Sequence, residues 1–162
     1  MRLEKEITKD TIKIFAFDDT SLQVAYILLV KDGDVIYVNA LYRFHAPAGI
    51  GKVLLQCGIH TAYDLWNLNK IKLAASGSNK KPDLTLYDSM SLQDLQNSLS
   101  TFTIQTEDRE ILIKAIESIR TLPRLEVYYE QFGFKRELKW DDPFVIYMST
   151  TYHKFLSVIT QI

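Results

Sequence analysis

A single cysteine, Cys57, rules out an internal disulfide and makes a reducing, cytoplasmic compartment the expectation. Charge of either sign is nearly absent in sum. Lys and Arg number 19 against 20 Asp and Glu, a net charge of -1, so there is no broad basic field for a nucleic-acid backbone. No apolar run is long enough to span a bilayer, and Met1-Arg2-Leu3-Glu4-Lys5-Glu6-Ile7 lacks the apolar core of a signal peptide. Neither a nucleic acid nor a membrane is therefore an expected partner. Three His and one Cys, scattered along the chain, show no metal-ligand spacing, and no metal is expected. Internal repeats and low-complexity stretches are missing too. What remains is an ordinary globular composition, 47% apolar and 24% charged, over 162 residues that suit one domain with one core.

Glycine is also scarce, at 6 residues, yet two fall almost together in Ala46-Pro47-Ala48-Gly49-Ile50-Gly51-Lys52-Val53-Leu54-Leu55. The alternating run Val35 to Tyr42 leads into this stretch, and an amphipathic helix over Ile50 to Trp66 leads out. A strand, a glycine pair and a helix start aim free backbone N–H groups at an anion, helped by the helix macrodipole. A Walker loop does not fit, because Ala46 stands at its first Gly and Val53 follows Lys52. A dinucleotide fingerprint fails at Leu54, where it needs a third Gly.

The rest of the chain reads as further strands and helices. Thr11–Phe17 alternates as a strand, and Asp18-Asp19-Thr20-Ser21 is turn chemistry. Leu22–Val30 is nearly all apolar, which predicts a strand covered on both faces. The Asp32-Gly33 pair accommodates a type I′ hairpin turn into Val35–Phe44. In the helix after the glycine turn, Leu54, Leu55, Ile59, Ala62, Leu65 and Trp66 form one stripe, and Gly58 inside it suits close packing on a sheet. Ile71–Ala75 reads as a short buried strand. Helices are expected over Leu92–Leu99 and Glu107–Arg120, then a break at Thr121-Leu122-Pro123 and a new helix from Pro123 to near Phe132. Phe134–Trp140 and Phe144–Thr150 read as strands around an Asp141-Asp142-Pro143 turn. Tyr152–Ile162 reads as a last helix, docked on its own domain or, in a homodimer, on a second subunit.

Two segments together resemble a known family. Ala48-Gly49-Ile50-Gly51-Lys52-Val53 is similar to the pyrophosphate loop Arg/Gln-x-x-Gly-x-Gly/Ala of the GCN5-related N-acetyltransferase (GNAT) superfamily, and Tyr128-Tyr129-Glu130-Gln131-Phe132-Gly133-Phe134 resembles its second signature. They occur in the family's order, and the resemblance covers about Leu22 to Leu73 and Glu126 to Ser149. It implies an α/β (α+β) fold with a mixed, mostly antiparallel central sheet and flanking helices. It also implies acetyl-CoA as co-substrate, held by Leu41, Arg43, Ala48, Gly49, Ile50, Gly51 and Lys52, and a primary amine, on a small molecule or a protein, as acceptor. Tyr129 aligns with the family's general acid, which protonates the departing sulfur.

Three departures accompany the resemblance. The family's helix pair between its first and second strands has no room here, and residues 77–122 form a helical insertion within the single domain 1–162. Ala46 replaces the pattern's Arg or Gln, and Leu122 and Leu125 replace an Asn and an Ala before the Tyr motif. These losses keep an alternative open, a catalytically silent binding module acting through the inserted helices. No general base is legible; Tyr37, Asn39 and His45 are the groups placed to meet an amine, directly or through water. Cys57 and His60 lie close on one helix, but Cys57 reads as a small hydrophobe beside the apolar stripe.

Overall fold

Alternating sequences at the start of the chain build a meander of antiparallel hairpins. In the computed structural model, which describes residues 1–44, 46–76, 93–94, 97, 106–137 and 145–160, the first four strands are β1 (Arg2–Ile7), β2 (Thr11–Phe17), β3 (Gln23–Asp32) and β4 (Val35–Arg43). Helix α1 (Ile50–Trp66) follows, then β5 (Lys70–Ser76), α2 (Thr106–Glu130), β6 (Lys135–Arg136), β7 (Val145–Thr151) and α3 (Tyr152–Ile159). The seven strands lie in the order β1-β2-β3-β4-β5-β7-β6, and β5 runs parallel to β4. Two compact units divide the chain, Met1–Leu73 with Ser149–Ile162, and Ala74–Met148. No helix among the described residues is long and apolar enough to cross a membrane.

In the first unit, Ile12, Ile14 and Ala16 of β2, Ala25, Ile27 and Leu29 of β3, and Ile36 and Val38 of β4 form one fully buried face. Leu54, Leu55, Ile59 and Ala62 of α1 are buried as well. Gly58 explains how close the helix comes. A Cβ there would stand 2.7 Å from Leu29 Cδ1 and 3.4 Å from Ile27 Cδ1. Leu65, expected in the buried stripe, is 51% exposed instead, while its neighbour Trp66 is half-buried and reaches the Lys9 carbonyl.

Several expectations are corrected. The β1 strand was not read from the sequence, since all six of its residues are exposed and no apolar face announces it. Its mixed charges suit a sheet edge, where they discourage pairing with another chain. Because β1 passes straight into β2 through Thr8–Asp10, the first 44 residues contain no helix, and the family's usual helix pair is absent as expected. The β3 strand is buried throughout on one face only; on the other Val24 is buried while Tyr26, Leu28 and Val30 are half-buried. The β3–β4 turn is not type I′. Asp32 pairs with Val35, so Gly33 is the first central residue, and Gly33 alone there has positive φ (58°), the II′ pattern.

In the second unit, α2 runs unbroken through Pro123, so neither the break at 121–123 nor a new helix start occurs. An interior proline removes one helix hydrogen bond and crowds the preceding turn, a penalty of about 3 kcal/mol. Burial of Ile116, Leu122, Phe132 and Phe134 in the same unit offsets that penalty. Of the helix expected at 92–99, the described residues Gln93, Asp94 and Asn97 are helical, with Gln93 Nε2 donating to Asn97 Oδ1 at 3.0 Å. The 138–144 part of the expected strands and turn lies outside the described residues.

Candidate functional site

The glycine turn leads from β4 into α1, which begins at Ile50 as the sequence predicts. Gly49 caps α1 with φ 89° and ψ −8°, a left-handed conformation that side chains rarely adopt, and nothing lies within 4 Å of where its Cβ would be. No side chain caps the helix and its first turn holds no acid. Ile50 N–H reaches back to the Pro47 carbonyl at 3.4 Å, and Val53 N–H donates to the Gly49 carbonyl at 3.2 Å. Among the described residues no backbone acceptor meets the Gly51 and Lys52 N–H groups. Two open donors at the positive end of a helix, approached through a glycine, are a geometry suited to an anion. The Ala48 and Gly49 positions are exposed, Ile50 and Gly51 buried, and Lys52 half-buried.

The strand before this turn is irregular. Leu28 pairs with Ala40 but Leu29 pairs with Val38, so Asn39 is an extra residue, a β-bulge, and it is exposed. The parallel ladder to β5 covers only Val35–Val38 against Lys70–Leu73. From Asn39 onward β4 carries no ladder pairing to β5 among the described residues. Phe44 N–H donates to the Val24 carbonyl at 2.6 Å, so alternation along the strand turns the backbone groups of Arg43 and Leu41 away from β3, toward this open edge. Bulge and ladder end fall at the same point. The bulge was not read from the sequence, although its signal is there: the inward alternation Ile36, Val38 resumes at Leu41, one residue late.

No family model matches the sequence, and no curated protein matches it by sequence. Solved structures do match by shape. An N-acetyltransferase, PaiA, from Thermoplasma acidophilum in complex with coenzyme A aligns at 17% identity and TM-score 0.51, over 88% of this chain and 62% of that one. The spermidine/spermine N-acetyltransferase SpeG from Vibrio cholerae, in mutant forms, aligns at 13% and 0.52, over 91% and 68%. An acetyltransferase of the GNAT family from Staphylococcus aureus aligns at 14% and 0.51, over 87% and 68%. The chain has the GNAT fold. At these identities the likeness is one of fold, and the chain spans less than two thirds of the Thermoplasma protein.

Within this GNAT fold the sequence-predicted residues divide between the units. Leu41, Arg43 and Ala48–Lys52 belong to the first, gathered at the end of β4 and the start of α1. Tyr129 belongs to the second, near the end of α2. Its half-buried ring meets Phe134 at 6.0 Å and Tyr128 at 5.1 Å, both edge-on, while Tyr128 packs edge-on against the buried Phe132 at 5.2 Å. Gly133, with φ 92°, donates to the Glu130 carbonyl at 2.9 Å and closes the helix, as the Tyr-Glu-x-x-Gly-Phe spacing predicts. Leu122, where the GNAT pattern has Asn, is 2% exposed and serves the core of its unit. Tyr37 and Asn39 lie on β4, Ala46 is half-buried before the turn, and His45 lies outside the described residues.

Sequence reading missed a second cluster, built by α1 and α3. The Tyr152 hydroxyl and His60 Nδ1 are 2.7 Å apart, and the Tyr152 ring stacks on Tyr63 at 3.8 Å and 11°. Burial, then the Asp64 carboxylate and Tyr63, push the Tyr152 phenol above its usual range. Its spacing from His60 in the chain gave no local signal. Cys57 is half-buried on α1, and its carbonyl accepts from Thr61 Oγ1 at 2.7 Å.

Proposed function

We propose that the protein is an N-acetyltransferase that moves an acetyl group from acetyl-CoA to a primary amine by direct attack. The observation that carries this reading is the coincidence, in one unit, of the Gly49–Lys52 cradle with the Asn39 bulge and the open edge of β4. The cradle suits a pyrophosphate, since Gly51 and Lys52 offer N–H donors where no acid competes. The open edge, with Leu41 and Arg43 backbone groups turned outward, suits the amide-rich arm of the same molecule, which can pair as an added strand. Ala46 leaves the cradle without an Arg or Gln side chain; Arg43 and Lys52 supply positive charge close by in the chain.

In the transfer itself, the amine nitrogen forms a bond to the thioester carbon and the carbon–sulfur bond breaks. The Leu41 N–H is assigned to the carbonyl oxygen, where it stabilises developing negative charge. The amine proton leaves to water. Tyr129 is assigned, on its motif, to protonate the departing thiolate. Titration calorimetry with acetyl-CoA tests the reading, run on the wild type and on a Gly49→Val, Gly51→Val double variant. Saturable binding by the wild type, lost in a variant that keeps its thermal melting transition, is the expected result. A wild type that does not bind acetyl-CoA sinks it.

A further inference from the structure

Behind α1, on the opposite face of the sheet, the β1–β4 register lines up a cross-strand row. Glu4 pairs with Phe15, Phe15 with Tyr26, and Tyr26 with Tyr42. The rings are neighbours, Phe15 to Tyr26 at 6.1 Å and Tyr26 to Tyr42 at 5.0 Å. Phe44 extends the cluster, 6.2 Å from Tyr26 and 6.4 Å from Tyr42. All four retain accessible surface, half-buried for the first three and 41% exposed for Phe44. The row ends on β4 next to Leu41, at the edge where the β5 ladder has stopped.

From this we infer that the acceptor is an aromatic primary amine, whose ring lies along the Phe15–Tyr26–Tyr42 row with its amine toward the open edge of β4. The inference rests on the acetyltransferase reading and deepens it. Three features favour this class over a polyamine or a bare alkylamine. Aromatic rings associate through offset and edge contacts that an alkyl chain does not match. The hydroxyls of Tyr26 and Tyr42 have no hydrogen-bond partner among the described residues, so they are open to a polar group on the acceptor. Finally, basic residues balance the acids beside the row. Glu4 pairs with Arg2 at 3.3 Å, and Glu6 stands across the strands from Lys13, so these four residues carry no net negative charge to attract a polycation. Burial, then the neighbouring Tyr42 phenol, push Tyr26 up, so its hydroxyl stays a donor around neutral pH.

The test compares 2-phenylethylamine, n-butylamine and spermidine as acceptors, following thiol release at saturating acetyl-CoA, with calorimetry of acetyl-CoA alone beside it. The expected result is a kcat/KM for 2-phenylethylamine about ten-fold above both others. In Tyr42→Leu that preference collapses through KM for the aromatic amine, while acetyl-CoA binding is retained. Phe15→Leu, farther from β4, repeats the loss in smaller measure and guards against a folding failure at Tyr42. Acetyl-CoA binding with equal or better turnover of n-butylamine or spermidine overturns the inference and leaves the acetyltransferase reading standing. Absence of acetyl-CoA binding overturns both.

Discussion

The two ends of α1 are built on opposite principles. At its start Gly49 is left-handed, no side chain caps the helix, and open space lies over the backbone. At its end the helix is tied to its surroundings. Asn67, also left-handed at φ 53°, donates its N–H to the Tyr63 carbonyl at 2.8 Å. Trp66 Nε1 donates to the Lys9 carbonyl at 3.0 Å, and Tyr152 N–H donates to the Asn69 carbonyl at 2.7 Å. Tyr63 and His60 hold the Tyr152 ring between them by stacking and a hydrogen bond. One end leaves backbone donors open, where the proposed function seats the pyrophosphate, and the other ties the helix to the chain around it. On the proposed reading, the cradle depends on an anchor about a helix length away.

Breaking the anchor should have the largest effect. Phe155 of α3 is fully buried, 6.2 Å from the His60 ring. Phe155→Ala is expected to lower stability by about 3–5 kcal/mol, read from chemical denaturation midpoints, through lost burial and a cavity. Breaking the cradle instead should spare the fold and cost the ligand. With Gly49→Val, the left-handed strain is about 1–3 kcal/mol, while acetyl-CoA affinity falls about 100-fold by calorimetry as charge-assisted N–H contacts are lost. If Gly49→Val left affinity unchanged, the two ends would not differ in purpose.

A subtler change sharpens the anchor. Tyr152→Phe keeps the stack on Tyr63 and removes only the hydroxyl beside His60, an expected loss of about 1 kcal/mol near neutral pH. The pH dependence has a definite sign. Because the folded-state pKa of Tyr152 is raised, chiefly by burial, its contribution is complete below the ordinary tyrosine value of about 10 and is lost as pH rises toward the folded value. Tyr152→Phe should therefore flatten the alkaline limb of a stability–pH curve. An unchanged limb would mean that Tyr152 does not titrate with unfolding.

These contrasts also mark what the sequence disclosed. The glycine turn was legible because Gly49, Gly51 and the periodic helix after them are all local signals. So was the Tyr129 motif, whose Gly133 closes α2 as its spacing requires. The Tyr152–His60 pair joins residues far apart in the chain, and only docking of α3 on α1 unites them. The aromatic row was equally hidden, since Phe15, Tyr26 and Tyr42 sit in three strands and their alignment depends on register. Pro123 misled for a physical reason: local propensity argued for a break, and burial of Leu122 and Ile116 overrode it. The wholly exposed β1 had no apolar period to read at all.

Between the two ends of α1 lies Gly58, where the smallest expected effect tests whether contact with β3 sets the helix position. Gly58→Ala gains about 1 kcal/mol of helix propensity. Against this, the new methyl would meet Leu29 Cδ1 at 2.7 Å, and Leu29 is fully buried, so its side chain has little room to turn away. Overpacking of this kind costs about 1–3 kcal/mol, so the net change should be a destabilisation of about 1 kcal/mol. A helix pushed off the sheet would move both ends together, and acetyl-CoA affinity would then weaken by a few-fold, in step with stability. Should Gly58→Ala instead stabilise the protein with affinity intact, Leu29 yields to the methyl and the tied end alone holds α1 in place.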